Sequence, residues 1–390
     1  MSGMTWTQIE RKVLNGDRLW GDEGLFLLRE APLVTLGSLA QEVRFRHNPE
    51  RKVTFVLDSN PNYTNICDTD CHFCAFYRRP GARDAYALTV EQVMSKVERA
   101  VQMGATTILL QGGHNVELPI DYYVELVRTM RERFPPVTPH CFTASEIQTM
   151  SRVSGLSVRE VLGRLKEAGQ HTLPGGGAEI LSQRVRMRIS PKKGGPGAWL
   201  QVHQTAHELG FLSTATMMYG HVETEEDIVE HWDRIRELQD QTKGFTAFIP
   251  WSFKPDNTLL QRKFPLRDGP APYLRILAAS RLYLDNFPHI QASWFSEGKK
   301  TGQIALHFGA DDFGGTLFEE NVHASANFIN VSSVKEALAL IHEAGFDAAQ
   351  RTTRYEILKR HPIAEGNGRA GREAQINSVR LGKIVEGASV

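Results

Sequence analysis

An α/β barrel, either a (β/α)8 ring or a partial TIM-type ring with a helical cap before it and an extension after it, is the fold class this sequence predicts. Three observations predict it. Short apolar, β-rich runs recur along the chain, amphipathic helical stretches separate most of them, and three of the four cysteines sit on a loop directly after the first run. Barrels carry their chemistry at that place, on loops leaving the C-terminal ends of strands.

Taken in order, residues 5–48 hold Leu19, Leu25, Leu28, Leu36 and Leu39 at helical spacing with Gly and Pro between them, so residues 1–48 are expected to form an N-terminal helical cap. The barrel is expected over 49–330. Its eight strand candidates are Val53–Leu57, Thr106–Leu110, Thr138–Thr143, Gln170–Leu173, Ser213–Met218, Phe245–Ile249, Ile290–Phe295 and Gln303–Phe308. Helical patterns between them cover Thr89–Met103, Ile120–Arg133, Val158–Glu167, Trp199–Glu208 and Glu225–Gln239. Residues 331–390 read as a C-terminal helix and a flexible tail, rich in Gly, Arg, Ser and Lys from about residue 366.

Composition narrows the class. With 390 residues the chain can bury a substantial core, and 45 basic against 45 acidic residues leave no net field to attract nucleic acid. No run of eighteen apolar residues exists, so no membrane span is expected. Met1 to Arg11 lacks an apolar core of the signal-peptide kind, and a reducing cytoplasm is the expected compartment.

The cysteine loop reads Cys67-Asp68-Thr69-Asp70-Cys71-His72-Phe73-Cys74. A cubane iron–sulfur cluster normally takes four cysteines. Three close thiolates leave one iron open, and an open iron can bind the amino and carboxylate groups of S-adenosylmethionine. The competing reading is zinc, with His72 or a distant residue completing a tetrahedron. A disulfide fits an odd, crowded trio poorly. Cys141 stands alone in a strand-like stretch and reads as a buried structural thiol. The lead-in from Leu57 to Cys67 exceeds the usual two to six residues of such connections, which marks a functional loop.

Other candidates follow the strand ends. Gln111-Gly112-Gly113-His114 lets a backbone approach a ligand closely, or simply makes a turn. Pro174-Gly175-Gly176-Gly177-Ala178-Glu179 precedes Arg184, Arg186 and Arg188. Glu179 could accept from ribose hydroxyls and an arginine could hold a carboxylate, while a solvated helix face is the plain alternative for the arginines and for Lys192 and Lys193. His203 and His207 have zinc spacing, but Gln204 stands where the metalloprotease motif needs Glu, so surface histidines are expected. In Gly220-His221-Val222-Glu223, His221 and Glu223 are polar groups for the barrel mouth, with helix capping the alternative for Glu223.

The spacing Cys-x3-Cys-x2-Cys with an aromatic before its last cysteine resembles the radical S-adenosylmethionine (radical SAM) superfamily. Asn62 to Asn65, Cys74 to Pro80, Leu173 to Leu181, Ile189 to Lys193, Ala215 to Glu223, Phe245 to Trp251 and Phe308 to Gly315 with Glu319-Glu320-Asn321 resemble the dehypoxanthine futalosine cyclase family over about residues 50–330. Aminofutalosine synthases and deazaflavin F0 synthase components are similar in architecture; a zinc-stapled binding barrel is the reading outside catalysis.

The resemblance implies a [4Fe-4S] cluster on Cys67, Cys71 and Cys74 and S-adenosylmethionine beside it. Phe73, Tyr77, Gly112, Gly113, Glu179, Arg184 and Arg188 are then expected at the cofactor. It also implies a nucleoside-derived substrate, dehypoxanthine futalosine, and a reductant such as flavodoxin or ferredoxin. Arg78, Arg79, Lys192 and Lys193 are candidates for the substrate benzoate. Glu223, Asp311, Asp312 and His221 are the candidates for a general base, and the sequence does not choose among them.

Overall fold

The computed structural model describes residues 4–261 and 269–364. Three helices open the chain: α1 (Trp6–Leu14), α2 (Gly21–Arg29) and α3 (Leu33–His47). The Thr5 hydroxyl and the Gln8 side chain close a capping box at the start of α1, satisfying backbone donors that would otherwise be orphaned. Strands β1 (Lys52–Val56) and β2 (Asp58–Ser59) follow as one extended run broken at Leu57.

The chain then alternates. α4 (Val90–Gln102), β3 (Thr107–Leu110), α5 (Ile120–Arg133), β4 (Thr138–Cys141), α6 (Ala144–Ser154), α7 (Val158–Glu167) and β5 (Thr172–Leu173) form its first half. α8 (Gln183–Ile189), α9 (Pro196–Glu208), β6 (Leu212–Tyr219), α10 (Glu225–Thr242) and β7 (Phe245–Ser252) continue it. After them come α11 (Pro270–Tyr283), β8 (His289–Ile290), α12 (Trp294–Glu297), α13 (Lys299–Ala305), β9 (Asp312–Gly315), α14 (Val334–Glu343), β10 (Asp347–Arg351) and β11 (Ile357–His361).

Strands β2 to β8 make a seven-stranded parallel sheet in chain order. A second sheet, ordered β11-β10-β1-β9, shares the β1–β2 run with the first, and a parallel bridge from Gln291 to Asp312 joins β9 to the β8 edge. Together these pairings carry the wall around a ring. Helices cover its outside by burying one apolar stripe each: α7 seals Val161, Leu162 and Leu165 completely, each contributing on the order of 1.5–3 kcal/mol. α3 lies on α11, and α2 on α10 and α11.

The ring's far end, where strands begin, is filled by the C-terminal segment. β10 pairs in parallel with β1 from Lys52↔Asp347 to Phe55↔Gln350, Arg351 binds Asp312 at the start of β9, and the Tyr355 ring stacks on His289 at 3.7 Å.

Two strand expectations need correction. Gln303–Phe308 is not a strand: most of it belongs to α13 and the turn after it, and β9 takes that place in the wall. Apolar Ile304, Leu306 and Phe308 mimic a two-residue period, yet Ile304 faces solvent while Thr301 and Ala305, four apart, are buried as on a helix. Of Ile290–Phe295 only the first residue is strand, because the chain turns into α12 at Trp294. β9, β10 and β11 had no counterpart among the expected strands, nor α6, α8, α11 and α12 among the helical stretches named from sequence. The flexible tail expected from about residue 366 lies outside the described residues. Among those described, no helix is long and apolar enough to cross a membrane.

Candidate active site

The cysteine loop is held from below by the end of β3. Gly113 N–H donates to the Thr64 carbonyl at 2.9 Å, and a Cβ on Gly113 would fall 2.2 Å from the Ile66 carbonyl oxygen. A Cβ on Gly112 would meet the Tyr63 ring at 2.7 Å. Only glycine lets the strand end lie this close to the backbone entering the loop. Gly112 N–H also donates to the buried Glu146 carboxylate at 3.0 Å, which accepts from the Tyr63 hydroxyl at 2.6 Å.

Within the loop, Cys67 N–H donates to the Arg78 carbonyl and Cys74 N–H to the Cys71 carbonyl, at 2.9 and 3.1 Å. Cys67 and Cys71 are buried and Cys74 is half-buried. The Cys74 sulfur faces the backbone N–H groups of Tyr77 and Phe76, so Tyr77 contributes its main chain here. Burial pushes the Cys71 and Cys74 thiols up, and both neighbours are near enough for their charge to bear on Cys71. His114, for which the sequence supported a backbone role alone, supports the loop with its ring: its Nδ1 lies 2.6 Å from Thr69 Oγ1, which is 3.3 Å from Cys67 Sγ. His72 is tied by its main chain, donating to Ile189 and accepting from Leu260. Among the described residues no three His, Cys, Asp or Glu side chains are grouped to hold a single ion. A cubane has no such requirement, since each iron takes one thiolate.

Beside the loop lies a buried pair, with Lys193 Nζ donating to Glu179 Oε1 at 2.7 Å and sitting 5.3 Å from the centre of the Phe73 ring. Glu179 Oε2 is buried and has no partner. Arg186 fixes this corner by donating to the carbonyls of Gly177, Ala178 and Gly194. The other charged candidates point elsewhere. Arg184 is bound by Asp227 and the Val222 carbonyl, and Arg188 lies on the exposed face of α8. Arg78 knits the loop through the carbonyls of Ala75, Phe76 and Tyr77 and pairs with Asp84. Arg79 and Lys192 pair with Asp70 at the surface.

The ring encloses a cavity of about 230 Å³ lined largely by apolar groups. Its polar wall includes Asp58, Gln111, His140, Glu320, His323 and Arg351. None of the four expected bases lines it. Glu223 accepts from the N–H groups of Gly220 and His221; His221 donates from Nε2 to the Met218 carbonyl while its Nδ1 accepts from Val222 N–H. Asp311 takes donors from Arg281, His289, Asn48 and Ile290 N–H. Asp312 is bound by two nitrogens of Arg351 and by the Thr54 hydroxyl. His203 and His207 are not on the surface: both hold the Ser213 hydroxyl, and both rings pack on Phe245. Cys141 is a buried thiol in β4.

A radical SAM superfamily model matches residues 61–235, and a model described as the CofH/MqnC C-terminal region matches 242–363. The chain is 42% identical to a cyclic dehypoxanthine futalosine synthase of Halalkalibacterium halodurans, over 90% of this chain and 94% of that one.

The chain belongs to the radical SAM superfamily.

An aminodeoxyfutalosine synthase of Thermus thermophilus is 41% identical over 97% of each chain. Among solved structures, methylornithine synthase shares the fold with a TM-score of 0.69 at 16% identity, covering 95% of this chain and 99% of that one. Members of the radical SAM superfamily are enzymes of radical chemistry that use a [4Fe-4S] cluster and S-adenosylmethionine. The donor set fits that pair. Three thiols on one loop suit a three-ligand cluster, no fourth cysteine stands beside them among the described residues, and the orphaned Glu179 Oε2 next to them is a buried acceptor in want of a donor.

Sequence reasoning did not single out Asp58 or His140 as site residues. Glu320 lies in a family-like stretch that assigns it no role, and His323 carries no signal in the sequence. A lone polar residue inside a strand run carries no signal until the ring shows which way it faces.

Proposed function

We propose that this radical SAM enzyme cyclises dehypoxanthine futalosine to cyclic dehypoxanthinylfutalosine, a step of the futalosine route to menaquinone. The observation that carries this reading is the match to a cyclic dehypoxanthine futalosine synthase across nine-tenths of the chain, with a three-cysteine loop at the strand ends of a ring that encloses a largely apolar lumen. In this reading Cys67, Cys71 and Cys74 hold the cluster, and Glu179 accepts from the cofactor's ribose. When bound, cluster and S-adenosylmethionine supply a 5′-deoxyadenosyl radical able to take the hydrogen from ribose C4′ of the substrate. The chain's own work is to orient, to exclude water and to accept a proton. The apolar lumen wall excludes water, while Gln111, His140 and Arg351 offer fixed polar contacts to a nucleoside-derived substrate. A flavodoxin or ferredoxin supplies the electron, and the reducing cytoplasm is the compartment that keeps such a cluster intact.

The test is product analysis on anaerobically reconstituted protein given dehypoxanthine futalosine, S-adenosylmethionine and a reductant. A spirocyclic product with release of 5′-deoxyadenosine is expected, and absence of that product beside an active control enzyme rejects the reading. The nearly equal identity to an aminodeoxyfutalosine synthase keeps that activity as the second reading. Mass spectrometry separates the two, because that synthase retains the adenosyl fragment covalently in its product.

A further inference from the structure

Asp58 is a buried carboxylate at the start of β2, nine residues before Cys67, with its side chain in the lumen wall. Its Oδ1 accepts from Leu317 N–H at 2.8 Å. Among the described residues the Asp58 carboxylate has no donor besides the Leu317 N–H and its own backbone N–H and no ion pair, in contrast to Asp311, Asp312, Glu223 and Glu320, whose oxygens are held by donors from other groups. Room for Asp58 has been made in the facing strand. A Cβ on Gly315, at the end of β9, would lie 2.1 Å from Asp58 Oδ2. The glycine that ends Ala-Asp-Asp-Phe-Gly-Gly therefore serves as a socket for this carboxylate.

We propose that Asp58 is the catalytic base of the cyclisation, receiving on Oδ2 the proton that leaves the substrate ring. The proposal rests on the cyclase reading above and names the residue that reading lacks. After the C4′ radical has added to the ring, the attacked ring carbon bears both the new bond to C4′ and its original hydrogen, so the ring holds one proton and one electron more than the aromatic product. Asp58 takes the proton: the C–H bond breaks, an O–H bond forms on Oδ2, and both bonding electrons stay in the ring. The resulting aromatic radical anion passes its extra electron to a one-electron acceptor of the iron–sulfur class, which leaves a closed-shell aromatic product. Charge and atoms balance with one proton on Asp58 and one electron on the acceptor.

The surroundings suit a base working near neutral pH. Burial raises the Asp58 carboxyl to about 6, opposed by the Leu317 N–H and by Arg351 of β10 and reinforced by Asp312 of β9. Arg351 is itself neutralised by Asp312, so it tempers Asp58 without pairing with it. The other titratable groups on the cavity are His140 of β4, Glu320 and His323 of the loop after β9, and Tyr355 beyond β10. His140 is the poorer base, since burial pushes its imidazole down to about 3.

The experiment compares wild-type holoenzyme, Asp58→Asn and Gly315→Ala, each reconstituted anaerobically with dehypoxanthine futalosine as substrate. Asp58→Asn keeps the shape and removes the base. Cyclised product should fall by about 10²-fold or more, the usual weight of general base catalysis, while 5′-deoxyadenosine release falls far less. The acid limb of kcat/KM near pH 6, on which the wild-type rate rises with pH as Asp58 ionises, should vanish. Gly315→Ala should give the same uncoupling by displacing the carboxylate, and it decides the matter if Asp58→Asn fails to take up a cluster. Product within about threefold of wild type with the limb retained, or equal loss of product and 5′-deoxyadenosine in both variants, overturns the assignment. A wild-type enzyme that makes no cyclised product overturns the cyclase reading itself, before any variant is compared, and this assignment falls with it.

Discussion

The two ends of the ring use the same residue types to opposite effect. At the end where the strands begin, two buried aspartates are saturated: Asp311 takes four donors, and Asp312 binds Arg351, Thr54 and the Gly314 N–H. By contrast Glu179, beside the cysteine loop, keeps a buried oxygen without a partner, and Asp58, in the lumen wall, has among the described residues no donor from another residue on Oδ2. A buried polar group with an unmet bond costs folding stability, on the order of 1–3 kcal/mol. Among these four carboxylates the closed valences belong to architecture, and the open ones face the loop and the lumen, where a ligand can complete the set.

That contrast can be broken at several points. The largest effect belongs to the loop cysteines. Cys67→Ala, Cys71→Ala or Cys74→Ala should abolish S-adenosylmethionine cleavage and the brown colour of anaerobically prepared protein, while Cys141→Ala, buried in β4, should leave both intact. Equal loss at Cys141 would make it a fourth ligand and close the open iron.

Next comes the saturated end. Arg281→Met leaves Asp311 buried without its arginine partner, and breaking such a pair costs about 3–5 kcal/mol, to be read from urea unfolding. The same group sets a pH dependence. Burial alone would raise the Asp311 carboxyl, but the His289 and Arg281 charges outweigh it and hold it well below the ordinary carboxylate range. A depressed folded-state pKa adds stability that is present above the unfolded value near 4 and is lost as pH falls below it. Unfolding free energy should thus drop progressively from about pH 5 downward until the folded-state value is passed, and Asp311→Asn should flatten that slope; an unchanged slope would show that other groups carry it.

At the open end the effect is smaller and moves from stability to binding. Glu179→Gln removes the charge facing Lys193 and weakens the acceptor, so S-adenosylmethionine affinity should fall by about tenfold, close to one charged hydrogen bond, with cluster content unchanged by absorbance. Loss of cluster instead of affinity would mean that Glu179 is architecture after all. The smallest effect is Arg79→Ala: its pair with Asp70 is exposed at 73% of the arginine side chain, and such pairs are worth about 0–1 kcal/mol. Thermal stability and turnover should both match wild type; a large rise in KM would instead place Arg79 at the substrate.

How much of this was legible in the sequence follows the range of the forces involved. α5 and α7 run over the residues their apolar period marks, because one buried stripe decides a helix. The cysteine trio was legible for a similar reason, since its ligand spacing is local. β10 was not, because Asp-Ala-Ala-Gln-Arg carries no β-branched residue and becomes a strand through the partner it finds in β1, nearly three hundred residues earlier. Asp311 and Asp312 resembled site residues as an acidic pair, yet a strand sends neighbours to opposite faces, one to Arg281 of α11 and the other to Arg351. Asp58 was silent, since its meaning comes from a glycine on β9.

The C-terminal segment that fills one end of the ring also dictates traffic. With Arg351, Thr353 and Tyr355 forming its floor, the lumen works as a blind-ended vessel rather than a tube. Whatever reacts deepest has to arrive first and depart last, so encounter order is written into the shape. Kinetics on this enzyme should accordingly be sequential with a fixed first ligand, and product inhibition patterns will reveal which molecule lies nearest the floor.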